Sequence, residues 1–144
     1  MAETVLRAEL DAAGLDGAVV VDSAGTGDWH IGDGMDPGAR SALASRGYDG
    51  SAHRARQIQP SWLGQRDLIL AMDSRNLANL RRMADSADAD ADDGRIQLFS
   101  AAGRLAETDI PDPWGGGPED FGHVLDLLRT AAPVIAAQVA RLLV

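Results

Sequence analysis

The chain has 144 residues with 13 basic and 22 acidic side chains, a net charge of −9, and every basic residue is an arginine. That charge repels the phosphate backbones on which nucleic-acid binding depends, so nucleic acid is excluded as an expected partner. No apolar run approaches the roughly 18 residues a membrane span needs, no export signal is recognisable, and the expected location is the cytoplasm. With no cysteine in the sequence there is no disulfide, no thiolate metal site and no cysteine nucleophile.

The length fits a single domain spanning residues 1–144, since domains most often run to about 100–150 residues. In chain order, Ala2, Leu6, Leu10 and Ala13 recur at helical spacing, and Gly14 stands where a helix favours its terminating glycine. No Ser, Thr, Asp or Asn precedes this helix, so its first amides have no local acceptor. Ala18–Val21 is a continuous apolar, largely β-branched run, the pattern of a strand buried on both faces of a parallel sheet. Asp36 and Pro37 open a second helix that closes at Gly47.

Leu68–Met72 is expected to form a second buried strand, and Asp73-Ser74 to cap a helix carrying Leu77, Leu80 and Met83. Ile96–Phe99 is expected to form a third strand. Phe121, Val124, Leu128, Ala131, Ile135, Val139 and Leu142 form one stripe of a long final helix, with Pro133 expected to kink or break it. Strands alternating with helices indicate an α/β domain with a parallel sheet.

Three patterns invite chemistry. The carboxylates Asp85, Asp88, Asp90, Asp92 and Asp93 resemble a calcium loop, but the turn-glycine position holds Asp93 and the closing glutamate position holds Phe99, so a solvated loop is the expectation. The run VVVDSAGTG resembles the opening of a dinucleotide fingerprint, but His30 occupies the third glycine position. His30, His53 and His123 are too dispersed for a local metal motif, and neither a metal nor a cofactor is expected. Asp112 lies in Ile110-Pro-Asp-Pro-Trp-Gly-Gly-Gly117, where a carboxyl beside an aromatic wall can serve as a proton donor; the plain alternative is an Asp-Pro turn.

Taken in order, MAETVLRAEL, DSAGTGDWHIG, SAHRARQI, LILAMDSRNLANL and IPDPWGG resemble segments of the low-molecular-weight protein-tyrosine phosphatases over essentially the whole chain. The resemblance implies a three-layer α/β/α fold with strand order 2-1-3-4. It also implies that Met1 falls just after the family's first strand and its cysteine-containing phosphate loop. The sheet is then missing its central first strand, and its two flanking strands must close up or leave exposed edges open to self-association.

By position, Asp112 matches the general acid, Ser23 and His53 the residues that orient the phosphate loop, and Trp29 and Trp114 the aromatic lips that grip an aryl phosphate. The substrate so implied is a phosphotyrosine protein or aryl phosphate, provided the missing loop is supplied. Without that loop, Ala2, Glu3 and Thr4 offer at most a weak anion site, opposed by the charge of Glu3. Three readings stand: a shortened form of an active phosphatase, a non-catalytic relative that binds through its tryptophans, and a small-anion or nucleotide domain sharing only the architecture.

Overall fold

In the computed structural model, residues 1–87 and 94–144 are described. Asp88, Asp90, Asp92 and Asp93 of the acidic stretch lie outside the described residues. The elements are α1 (Ala2–Ala12), α2 (Pro37–Ser45), a 3-10 turn (Pro60–Gly64), β1 (Ile69–Ala71), α3 (Ser74–Ser86), β2 (Ile96–Leu98), α4 (Phe99–Ala102) and α5 (Pro118–Leu142).

β1 and β2 pair in parallel, with Ile69 opposite Ile96 and Ala71 opposite Leu98. Alternation along β1 builds three layers, because successive strand side chains point to opposite faces. Leu70 and Met72 pack on a core formed by Val5, Leu6 and Leu10 of α1, Phe99 of α4, and Leu125, Leu128 and Ile135 of α5. Ile69 and Ala71 face the other way, onto Leu63, Leu80, Ala84 and Ile96. The result is an α/β domain with an open parallel sheet between two helical layers.

The capping expectations hold at two helices. The Asp36 carboxylate accepts from the amides of Gly38 (2.9 Å) and Ala39 (3.2 Å), with Pro37 in the first turn. Asp73 accepts from the Asn76 amide at 2.7 Å at the head of α3. α1, as expected, has no side-chain cap.

Several expectations are corrected. Ala18–Val21 forms no strand and is not buried on both faces: Val19 and Val21 pack on the α1/α5 core, but Val20 is 93% exposed. A parallel strand needs hydrogen-bonding neighbours, and this segment has no ladder; the sheet among the described residues contains only β1 and β2. The edge is therefore left open. Among the described residues an isolated parallel bridge, Gly25 with Gln57, follows it.

β2 ends at Leu98, because Phe99 turns into the short α4, whose Gly103 lies so close to Ala131 of α5 that a β-carbon there would clash at 2.3 Å. Pro133 does not break α5, which runs unbroken over 25 residues. It sits on the exposed side, where the carbonyl it leaves unbonded can be hydrated. Leu142 falls off the buried stripe and is 59% exposed at the last turn.

Candidate active site

Ser23 follows directly on the open edge and is held from two directions. Its hydroxyl donates to Glu3 Oε1 of α1 at 2.9 Å, and Arg7, one turn on, donates to the Val21 carbonyl at 2.5 Å while pairing with Glu3 at 3.4 Å. Behind it, Asp22 is clamped by Arg56 (2.8 Å) and Arg66 (2.7 Å), whose guanidinium groups both lie over the Trp62 ring, at 4.7 and 5.0 Å from its centre. Burial pushes the Asp22 pKa up, but the hydrogen bonds and charges of Arg66 and Arg56 outweigh it and hold the pKa below its ordinary value. Sequence reading missed this clamp; Asp22, Arg56, Trp62 and Arg66 are scattered over 45 positions with no local motif to connect them.

His53 reaches the same region. With Glu3, Thr4, Arg7 and Tyr48 it lines a cleft of about 230 Å³ beside the first turns of α1. Its pKa is lowered, first by burial and then by the positive charge of the amino terminus, with Glu3 pulling the other way. The Met1 α-amino group is likewise lowered, chiefly by burial. The structure thus gathers Ser23, His53 and Glu3 at the head of α1. A larger cleft of about 380 Å³, lined by Glu9, Tyr48, Asp126, Arg129 and Thr130, contains none of the residues singled out from the sequence.

The loop bearing Trp29 is fastened along its length to residues 55–58. Gly25 N donates to Arg56 O, Gly32 N to Ala55 O and Ala55 N to Asp33 O, each at 2.8 Å. Trp29 itself is 76% exposed; its ring covers Gly27 and meets His30 edge-on at 6.3 Å. Gly27 permits that cover, since a β-carbon would sit 2.3 Å from the indole.

Asp112 stands at the carboxyl end of β1, because Ile110 N donates to Met72 O at 2.8 Å and Asp109 accepts from Ser74. This is the end of a parallel sheet at which open α/β folds place their ligands. Asp112 is exposed, and its carboxylate accepts from the Trp114 amide at 3.0 Å, an Asx turn. Trp114 is 72% exposed. Among the described residues no hydrogen bond, ion pair or ring contact joins Asp112 or Trp114 to Ser23, His53 or Trp29. The loop bearing Asp112 and the pair Ser23 and His53 thus share no direct bond among the described residues.

The model of the low molecular weight phosphotyrosine protein phosphatase family matches residues 1–143. The chain belongs to that family. A low molecular weight protein-tyrosine-phosphatase of Streptomyces coelicolor is 40% identical over 139 residues, 96% of this chain and 84% of the relative. Among solved structures, a protein tyrosine phosphatase from Entamoeba histolytica superposes with a TM-score of 0.86 at 26% identity, covering 99% of this chain and 89% of its own. Wzb of Vibrio vulnificus, solved in complex with benzylphosphonate, gives 0.79 at 28% identity, covering 95% of this chain and 87% of its own. No described helix is long and apolar enough to cross a membrane.

Proposed function

We propose that these 144 residues carry the general acid, the aryl-gripping tryptophans and the loop-orienting pair of a phosphotyrosine phosphatase, and that without a nucleophile they do not hydrolyse aryl phosphates alone. What supports this reading is the family match together with Ser23 and His53 beside Glu3 at the head of α1, Asp112 at the end of β1, and the absence of cysteine from these 144 residues. In such a reaction a thiolate would attack phosphorus while Asp112 protonates the departing phenolate, then takes a proton from the water that releases phosphate. Asp112 can supply the proton but neither the thiolate nor the phosphate-binding amides.

The benzylphosphonate held by the Vibrio relative supports an aryl phosphate or phosphotyrosine side chain as the ligand class. Trp29 and Trp114, both exposed at loops, supply aromatic surface for it. That same exposure favours a second reading, a non-catalytic protein that grips a phosphorylated segment through the two indoles.

The test is p-nitrophenyl phosphate turnover by a version extended at the amino end by about 15–20 residues, enough for one strand and a cysteine-containing phosphate loop. The expected result is turnover that falls by about 10²–10⁴-fold in Asp112→Asn. Phosphopeptide binding with no turnover in the extended form would favour the second reading.

A further inference from the structure

Asp112 has little of its own to hold it in place. Its amide meets no backbone carbonyl among the described residues, and its neighbours Pro111 and Pro113 have no amide to donate. Its carboxylate bond to the Trp114 amide is local to the turn. The span is nevertheless stiff, because each proline fixes its own φ and restricts the residue before it, which confines Ile110 through Pro113. A stiff arm passes on whatever fixes its ends, so the place of Asp112 is set where the arm is anchored.

The downstream end is held at α5: Gly116 N donates to the Pro113 carbonyl and Gly117 N to the Asp120 carboxylate, each at 2.9 Å. The upstream end is held at the turn between β1 and α3. Ile110 is buried and donates its amide to Met72 O at 2.8 Å. Asp109, 35 positions from its partner, accepts with one carboxylate oxygen from both the amide and the hydroxyl of Ser74, at 2.9 and 2.8 Å. α3 already has a cap of its own, since Asp73 accepts from the Asn76 amide at 2.7 Å, and Ser74 is exposed, so water can serve its amide. What the Asp109 carboxylate adds is a tie between α3 and the loop that carries Asp112.

We propose that Asp109 is a positioning residue for Asp112: by gripping Ser74 at the head of α3 it fixes the upstream end of the arm on which the acid stands. The assignment deepens the reading of Asp112 as the general acid and rests on it. Asp109 transfers no proton itself. It acts on the rate through the placement of Asp112, where a shift on the order of 1 Å is enough to cost a large factor.

The first measurement is made by nuclear magnetic resonance on the 144-residue protein. In Asp109→Ala the Trp114 amide signal is expected to move and the Ile110 amide to exchange at least about fivefold faster, while amides in the second half of α3 keep their rates. Asp109→Asn, which keeps an oxygen acceptor for Ser74 but not the charge, is expected to restore both. A role confined to the charge at the head of α3 would be lost equally in the two variants. Unchanged signals at Ile110 and Trp114 in Asp109→Ala, or no rescue by Asn, would overturn the proposal.

The second measurement is made on the amino-terminally extended form, with phenyl phosphate, whose leaving group needs a proton, beside p-nitrophenyl phosphate, whose leaving group needs it less. Asp109→Ala is expected to lower kcat/KM on phenyl phosphate by about tenfold and on p-nitrophenyl phosphate by less, and to have no further effect in the Asp112→Asn background. If Asp112→Asn leaves turnover unchanged, the general-acid reading fails and the positioning role with it. If Asp112→Asn slows turnover but Asp109→Ala does not, or the two losses multiply, the positioning role alone fails.

Discussion

The helical layer of α1, α4 and α5 and the open edge at Ala18–Asp22 are built from equally apolar sequence, yet one is closed and the other is not. Leu125, Leu128, Ile135 and Phe99 are essentially inaccessible, whereas Val20 is nearly fully exposed. A helix satisfies its own backbone within four residues and needs only a face to pack against. A strand satisfies nothing by itself, so the edge depends on a neighbour elsewhere in the sequence or in another molecule. What holds the edge in position is not a ladder but the Ala18 and Val19 amides on the Leu15 carbonyl, Arg7 on the Val21 carbonyl and the Arg56–Asp22–Arg66 clamp.

That contrast can be broken first at its strongest side. Ile135→Ala, at a fully buried position, is expected to destabilise the protein by about 2–5 kcal/mol in urea denaturation, the usual cost of an unfilled core cavity. A cost below about 1 kcal/mol would mean that the helical layer is not the stable half.

Asp22→Asn is expected to cost about 1 kcal/mol, a figure kept low because the clamp is partly solvated and its ion pairs are screened. The pKa of Asp22 is lowered in the fold, so its contribution is complete above the ordinary aspartate value of about 3.9 and is lost as pH falls through the lower folded value. Denaturation midpoints of wild type and Asp22→Asn should therefore converge only in strong acid.

His53 is expected to have a smaller effect. Its folded pKa lies below the unfolded value of about 6.5, so between the two the unfolded chain binds more protons and stability rises with pH. The contribution is complete above about 6.5 and fades as pH falls toward the folded value. His53→Asn should flatten the slope of stability against pH in that window, and an unchanged slope would place the ring outside the cleft at the head of α1.

Val20→Ala should do least, within about 0.5 kcal/mol, because the side chain is already in solvent. A loss as large as that of Ile135→Ala would show that the edge is covered in solution.

The helices were legible because their signals are local: Asp36-Pro37 and Asp73 cap where the sequence places them, and the α5 stripe is buried from Phe121 to Ile135. Ala18–Val21 forms no strand despite its pattern, because an apolar run reports what a segment would bury, not whether a neighbour is present to pair with it. Phe99 continues the apolar run of β2 for the same reason, yet is the first residue of a helix. Ser23, His53, Asp112, Trp29 and Trp114 are candidates that the sequence offers through family resemblance. The sequence could not supply the Asp22 clamp or the Glu3–Ser23 bond, which exist only after residues 20 or more apart are folded together.

The central claim is that a flanking set of groups without a nucleophile does no chemistry. The most direct test is p-nitrophenyl phosphate turnover by the 144-residue protein itself, measured beside Asp112→Asn. Rates equal to buffer for both are predicted; turnover by the wild type that disappears in Asp112→Asn would contradict the account and require a nucleophile other than cysteine within these residues.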